Sequence, residues 1–422
     1  MNFAALTKMV AEDAALRRRQ RLQPVGGKGD KIFPPTYPPS DEEKRRDRKA
    51  PPRHVFERRR LEGRDGRESW EVWCVLVDSV QSQANRLEES LLGIIREKSL
   101  CIPHVVVDFS EKGLEGISTI TSLEAPHRVY DAIFRDSDLD GTRFMKSDLG
   151  KRLVKASNAD ASALLEVSPT ALLFGSWHST GDGGGIGAKF ARSLVSEIVA
   201  VEVPVDEQID QRTGEIQVRN AGRRTGSRID PLGVLRKVEV YKSTTGWDVT
   251  AEGAGKNAKQ VRPSEINHGN IAPSLQPLGI TCDHLEHTFV LSFAAIRRLS
   301  FGSSEKNTTA RAFLAALGLL AMTEQDAQGY ALRSRCDLVC EEKKPLEAVH
   351  ADGTTVEISA DRKAVRSLYA EAFKAAKDAG FQFSDEPIRL TPQKKLVEIV
   401  RKSQELALAG EGGEDGETDE KQ

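Results

Sequence analysis

The stretch WEVWCVLVDSVQSQANR, residues 70–86, decides how this chain folds. Its first eight residues are dense in β-branched and aromatic side chains and almost continuously apolar, which predicts a strand buried on both faces. Ser79 or Ser82 can then cap a helix that carries apolar residues at helical spacing from Leu87 onwards. The stretch therefore predicts a buried strand that passes directly into a helix.

Polar side chains crowd the start of this predicted helix. A capping segment needs one hydroxyl or amide residue, whereas four stand here, with an asparagine and an arginine in the first turns. Free backbone N–H groups, several side-chain donors and a guanidinium together suit an anion such as phosphate. The residues we predict to bind a polyanion are Ser79, Gln81, Ser82, Gln83, Asn85 and Arg86.

Hydrophobic patterns along the rest of the chain predict an α+β sheet domain with a large insertion. Further strands are predicted at 105–107, 171–174, 194–205, 287–294 and 333–340. Helices are predicted over 308–322, capped by Thr308 or Thr309, and over 361–378 and 392–407, with a short one within 131–155. The predicted regions are an irregular N-terminal arm with a basic linker (1–69), the sheet domain (70–205 and 281–409), a polar insertion (206–280) and an acidic disordered tail (410–422).

Composition places the chain among globular proteins of a reducing compartment. Of its 422 residues 39% are hydrophobic, and its five cysteines are scattered, which argues against a disulfide framework. The longest apolar run, residues 312–322, is too short to cross a bilayer, and the N-terminus has no features of a signal peptide. We therefore expect a cytoplasmic protein with no membrane partner.

The charge distribution says more than the net charge of −2. Residues 44–67 hold 11 Lys and Arg against four Asp and Glu. Such a block can neutralise phosphates, but a solvated surface loop has the same composition. Both interpretations of the basic stretch remain open.

The glycine-rich loop Gly181–Gly187 does not carry a P-loop motif, because Phe190 occupies the position that requires Ser or Thr. A dinucleotide fingerprint matches within 183–188, but eight residues separate it from the preceding predicted strand. A dinucleotide-binding enzyme remains an alternative. Contact of the loop with phosphate is favoured, and three flanking residues are candidates for it: His178, Lys189 and Arg192.

No pattern in the sequence predicts a metal, a cofactor or an active site. The motif that starts at Asp136 imitates a calcium loop, but Ser147 replaces the bidentate Glu. The cluster 282–287 and the pair Cys336 and Cys340 lack the spacing of a structural zinc site. Among the histidines, His178 and His268 are the candidates for a catalytic base. We therefore predict no catalytic residue and a protein that is not an enzyme.

Seven stretches of the chain form a recognisable set: QPVGG (23–27), FPPT (33–36), LVDSVQSQANR (76–86), LFGSWHS (173–179), GAKF (187–190), RPSEINHGNI (262–271) and LRSRC (332–336). With them the chain resembles, over most of its length, the backbone subunit of the type I-G (formerly I-U) CRISPR effector, or Cascade, a family of the RAMP superfamily. The resemblance implies an RRM-like (ferredoxin-like) palm with an inserted thumb. It also implies copies that assemble head to tail along CRISPR RNA, with other effector subunits and a target DNA recognised through the guide.

The same resemblance implies roles for particular residues. Ser79, Gln81, Ser82 and Arg86 correspond to the phosphate-contacting junction of the palm. The excursion 206–280 corresponds to the thumb, which adds the RNA-binding candidates Arg223, Arg224, Arg262, His268 and Asn270. A protein that coats a guide should contact phosphate and sugar and leave base edges free, which polar helix starts and arginines allow. A RAMP ribonuclease that processes precursor RNA with His178 remains an alternative.

Overall fold

The computed structural model describes residues 1–46, 52–61, 69–178, 189–206, 217–218, 223–225, 229–244, 246–270, 274–276 and 278–408, and it mixes helices with mostly antiparallel sheets. The described helices are α1 (Phe3–Glu12), α2 (Asp41–Arg46), α3 (Val80–Arg96), α4 (Ala132–Arg135), α5 (Asp148–Val154), α6 (Ser162–Val167), α7 (Thr170–Leu173), α8 (Ala251–Ala254), α9 (Phe293–Arg297), α10 (Ser304–Gln328), α11 (Arg362–Asp378) and α12 (Lys394–Leu408). Short 3₁₀ turns lie at Arg128–Tyr130, Phe144–Lys146 and Pro263–Ile266.

The described strands are β1 (Ala15–Pro24), β2 (Phe56–Leu61), β3 (Trp70–Asp78), β4 (Val105–Asp108), β5 (Thr119–Thr121), β6 (Ser137–Leu139), β7 (Thr142–Arg143), β8 (Ser176–Trp177), β9 (Lys189–Phe190), β10 (Leu194–Val201), β11 (Val205–Asp206), β12 (Gln217–Val218), β13 (Arg223–Thr225), β14 (Val240–Ser243), β15 (Gly246–Asp248), β16 (Lys259–Val261), β17 (Ser274–Gln276), β18 (His284–Ser292), β19 (Tyr330–Arg333), β20 (Cys336–Glu342), β21 (Leu346–Val349), β22 (Thr355–Ile358) and β23 (Ile388–Pro392). The glycine-rich loop and the acidic tail of the sequence predictions lie outside the described residues, as does part of the basic stretch 44–67.

The chain forms two compact units from interleaved segments. The first unit contains Met1–Lys28, Val77–Ala200 and His284–Gln422, and the second contains Gly29–Leu76 and Val201–Asp283. The predicted insertion 206–280 falls within the second unit. Strand β3 starts in the second unit, whereas its last two residues, Val77 and Asp78, belong to the first.

The first unit contains an antiparallel sheet in the order β19-β20-β1-β18-β10, with β21 and β22 attached beside β1. Its central strand β1 lies in the region predicted to be irregular, so that prediction was wrong for residues 15–24, as it was for helix α1 and strand β2. Burial alternates along β1, but two of its inward positions hold Arg18 and Gln20, which are buried with hydrogen-bonded partners. The apolar alternation that marks a strand is therefore broken at these positions.

Helix α10 forms the centre of the core of the first unit. Its residues from Ala312 to Met322 are buried on all sides, and α1, α3 and α11 pack against it. The helix begins at Ser304 with Ser303 as its cap, not at Thr308 or Thr309 as predicted. The hydroxyls of both threonines instead donate to backbone carbonyls one turn earlier, which satisfies them inside the helix.

Three further predictions differ from the structure. The run 171–174 is buried as expected, but it belongs to helix α7, since four apolar residues alone do not separate a strand from a helix. The strand predicted at 333–340 is a hairpin of β19 and β20, and the one predicted at 287–294 starts at His284 and gives way to α9 at Phe293. The remaining predicted elements are confirmed: β3, β4 and β10 among the strands, and α3, α5, α11 and α12 among the helices.

The second unit contains smaller sheets. Strand β2 pairs with β3 in an antiparallel register from Phe56 opposite Val75 to Leu61 opposite Trp70. Strand β14 lies between β15 and β16, and the pairs β11 with β12 and β13 with β17 are also antiparallel. Among the described residues, no helix is both long and apolar enough to cross a membrane.

Candidate functional site

The carboxylate of Asp78 is the centre of the predicted anion-binding junction. Asp78 ends strand β3 and is completely buried. Its Oδ1 accepts from the Ser82 hydroxyl at 2.8 Å, and its Oδ2 accepts from the Gln83 amide at 2.7 Å and from Arg86 Nε at 2.9 Å. Three of the residues predicted to bind phosphate thus bond to an internal carboxylate.

Arg333, at the end of β19, is a second guanidinium on the same carboxylate. Its Nη2 donates to Asp78 Oδ1 at 3.0 Å and its Nη1 donates to the Val77 carbonyl at 2.8 Å. In return, Arg86 Nη2 donates to the Leu332 carbonyl at 2.7 Å. Arg333 therefore binds the backbone at the end of β3, and Arg86 binds the backbone at the end of β19, which ties the junction of β3 and α3 to β19.

A chain of buried polar groups continues from this junction into the sheet. The Gln83 side-chain oxygen accepts from Gln325 Nε2 and from the Ser196 hydroxyl, and Ser196 lies 2.8 Å from His287 Nε2. The Ser196 hydroxyl donates its proton to Gln83 Oε1. His287 Nε2 must therefore carry a proton and donate it to the Ser196 oxygen. Gln83 is completely buried, and its amide is satisfied within the protein.

The other side of the His287 ring completes the chain. Gln20 Nε2 lies 3.1 Å from His287 Nδ1 and donates to the Tyr330 hydroxyl, which donates to Asp326 Oδ1. Asp326 also accepts hydrogen bonds from both Nη atoms of the buried Arg18. Burial, with the nearby Arg18 charge, lowers the pKa of His287 to about 3, so the ring is neutral, as its acceptor role at Nδ1 requires.

The residues of the junction that face solvent are fewer than the sequence predicts. Ser79 is the N-cap of α3, and its hydroxyl accepts from the Ser82 amide. Gln81 and Asn85 are exposed, one helical turn apart on the same face, while Arg86 is partly exposed. The exposed candidates at this junction are therefore Gln81 and Asn85, while Ser79, Ser82 and Arg86 are half-buried.

His178, Lys189 and Arg192 flank the glycine-rich loop in the first unit. His178 is buried, with its ring against Tyr130, and burial raises the pKa of that tyrosine. The Lys189 ammonium lies over the exposed ring of Trp177, and Arg192 donates to the Phe174 carbonyl. Lys189 and Arg192 are exposed to solvent, whereas His178 is buried.

The remaining candidates belong to the second unit. Arg262 is exposed at the start of a 3₁₀ turn, and the ring of His268 contacts Trp247. Asn270 accepts from the backbone of Asp230 through its side-chain oxygen, which holds the turn that follows Asp230. Strand β13 contains Arg223 and Arg224, but their side chains lie outside the described part of the chain.

Sequence reasoning missed Arg333, Gln20, His287 and the buried acids of this network. Arg333 lies in the stretch LRSRC (332–336) that carries the resemblance, but no pattern there predicts a role for it. One signal was available: Asp78 interrupts an apolar strand just before a helix, and a buried carboxylate requires cationic partners. Nothing in the sequence identifies Arg333, 255 positions away, as the second cationic partner of Asp78.

No metal site is evident among the described residues, where no three His, Cys, Asp or Glu side chains are close enough to share an ion. All five cysteines are free thiols. His287, from the cluster predicted to pack rather than bind metal, uses both ring nitrogens in hydrogen bonds with Gln20 and Ser196.

The fold and the site thus define a protein of mixed helices and mostly antiparallel sheets, with an arginine-rich polar cluster where a strand passes into a helix. Residues 16–205 match the model of a family described as CRISPR-associated protein GSU0053, of type I-U/I-G. Over these residues the chain is similar to this CRISPR-associated family, and the match confirms the resemblance predicted from the sequence for this part of the chain. No curated protein matches the chain.

Proposed function

We propose that this CRISPR-associated protein is a non-catalytic backbone subunit of a CRISPR effector complex that binds CRISPR RNA through phosphate and sugar. Copies of the chain assemble head to tail along the guide, and the guide in turn pairs with target DNA. The first unit acts as an RRM-like palm, and the second unit contributes the thumb.

The observation that carries the proposal is the junction of β3 and α3, which lies within the family-matched segment. There the exposed amides of Gln81 and Asn85 lie in the same first turns of α3 as Arg86, which shares the Asp78 carboxylate with Arg333. Amide and guanidinium donors bind phosphate and ribose oxygens without reading bases, which is what a guide-coating protein requires.

A double substitution of the exposed amides tests this function. Gln81→Glu with Asn85→Asp adds two negative charges at the proposed RNA surface and removes no internal hydrogen bond among the described residues. Binding of labelled single-stranded RNA of mixed sequence, measured by fluorescence anisotropy over a series of salt concentrations, should weaken by about tenfold or more. RNAs of different sequence should lose affinity equally.

Gln328→Glu is a matched control, since Gln328 is exposed at the end of α10 and the change adds the same kind of charge. It should leave RNA affinity close to that of the wild type. If the wild-type protein bound no RNA at low salt, alone or with its partner subunits, the proposed function would be wrong.

A further inference from the structure

The Asp78 cluster has more positive than negative charge. Arg86 and Arg333 both bond to Asp78, and the linked pair of Arg18 and Asp326 is neutral. A comparable cluster at Glu324 is balanced, because its two arginines are matched by a second carboxylate, Glu97. At Asp78 no second carboxylate bonds to either arginine within the described part of the chain, and the excess positive charge favours an anion from outside.

Both arginines of the cluster are within reach of such an anion. The side chains of Arg86 and Arg333 are 23% and 26% exposed, whereas Asp78 is completely buried. Within the described part of the chain, Nη1 of Arg86 and Nε of Arg333 make no hydrogen bond to a protein acceptor. An arginine presents five N–H donors in a planar fork, so each side chain keeps donors for a phosphate oxygen.

The turn that follows Arg333 adds a third arginine. Strands β19 and β20 are joined by Ser334 and Arg335, both exposed, with Arg333 paired opposite Cys336. Arg335 has a φ of 59°, in the left-handed region where glycine or asparagine is usual. A charged, exposed side chain thus occupies a turn position that suits smaller residues better.

We propose that Arg333 and Arg335 of the β19–β20 turn form, together with Arg86 of α3, a composite site for the phosphodiester groups of single-stranded RNA. The inference rests on the proposed function and deepens it, because it assigns part of the RNA surface to a segment beyond the family-matched residues 16–205. Asp78 orients the two inner arginines, and Arg335 contacts the neighbouring phosphate.

Arg335→Asn is the decisive substitution, because Arg333 also supports Asp78 and the backbone and its loss threatens folding. Asparagine accepts the left-handed conformation, so the turn should persist and the melting temperature should not fall. In the full-length protein, the affinity for labelled single-stranded RNA should drop by about tenfold near 50 mM salt. The slope of log affinity against log salt should become shallower by about 0.7, the value for one lost contact to a single strand.

Lys98→Asn is the matched control, since Lys98 is also exposed, basic and at positive φ (53°), but lies just past the opposite end of α3. It should leave affinity and salt slope unchanged. If Arg335→Asn bound RNA like the wild type, or if Lys98→Asn weakened binding equally, the composite site would be wrong. The proposed function would still stand in either case, provided that the wild type binds RNA and the Gln81 and Asn85 double variant binds it more weakly.

Discussion

At the scale of single residues, the junction at Asp78 has a buried carboxylate beneath the predicted anion-binding surface. Polar crowding at residues 79–86 predicted an anion-binding helix start, and the structure places a carboxylate of the protein itself among these donors. The sequence could identify the cluster, but it could not divide its members into inward and outward ones. That division depends on the partners of Gln83 and Arg86, which come from distant parts of the chain.

Asp78→Asn should destabilise the protein by about 3 kcal/mol, because two partly buried arginines lose their counter-charge and an amide cannot accept from all four donors. Urea unfolding followed by circular dichroism measures the change. Asp140→Asn, at an exposed turn position with positive φ, is the control and should shift stability by less than about 0.5 kcal/mol. A loss below about 1 kcal/mol for Asp78→Asn would contradict the role assigned to the carboxylate.

Arg335→Asn should stabilise the free protein by about 1 kcal/mol, since asparagine occupies the left-handed region at lower cost than arginine. Thermal unfolding without RNA should therefore show a higher midpoint. The gain in stability would have the opposite sign to the loss in RNA affinity. A lower midpoint would mean that the Arg335 side chain supports the fold, and any loss of affinity would then need a structural explanation.

At the scale of elements, the long amphipathic helices and the apolar strands were predictable, and the errors have physical causes. Strand β1 was missed because its buried positions hold Arg18 and Gln20, whose cost of burial is offset only by partners on other elements. The apolar run of helix α7 was predicted to be a strand, because four apolar residues are too few to distinguish the periodicity of a strand from that of a helix. Tertiary contacts decide such segments, and a single sequence does not contain them.

The hydrogen-bond chain across β1, β18 and β10 makes stability depend on pH. His287 stays neutral in the folded state down to about pH 3, while an unfolded histidine takes up a proton near pH 6.5. Below about pH 6.5 the unfolded state therefore binds the extra proton, and stability falls as the pH is lowered. Between pH 7 and pH 5 the wild type should lose on the order of 2 kcal/mol through this group.

His287→Gln removes this titration, so its stability should change less than that of the wild type between pH 7 and pH 5, as measured by urea unfolding at both values. His127→Gln, at an exposed histidine, should retain the full dependence of the wild type. Equal pH dependence in wild type and His287→Gln would show that the ring becomes protonated in the folded protein.

At the scale of the whole molecule, the sequence resembles one CRISPR-associated family. The family match over residues 16–205 confirms that resemblance for this part of the chain. The large polar excursion was also visible as a change in composition. The sequence does not show that 29–76 and 201–283 form one unit, because this depends on pairings between segments far apart in the chain. An example is the pairing of Ile32 with Ile280.

The proposed assembly along RNA predicts how the mass of the complex grows. With single-stranded RNAs of increasing length, native mass spectrometry should show protein added in whole copies of about 46.4 kDa, as expected for head-to-tail contacts that do not close. The double variant at Gln81 and Asn85 should need higher protein concentrations to reach each step. A constant ratio of one protein per RNA at every length would exclude a filament.

The buried chain from His287 to Asp78 also has a spectroscopic consequence. With the ring neutral and protonated at Nε2, every donor from His287 through Ser196 and Gln83 points towards the same carboxylate. Ser196 is almost inaccessible to solvent, so its hydroxyl proton should exchange slowly with water. Proton NMR should then detect that hydroxyl as a resolved signal. Loss of the signal on acidification would mark the pH at which the hydrogen bonds from His287 through Ser196 to Gln83 are lost.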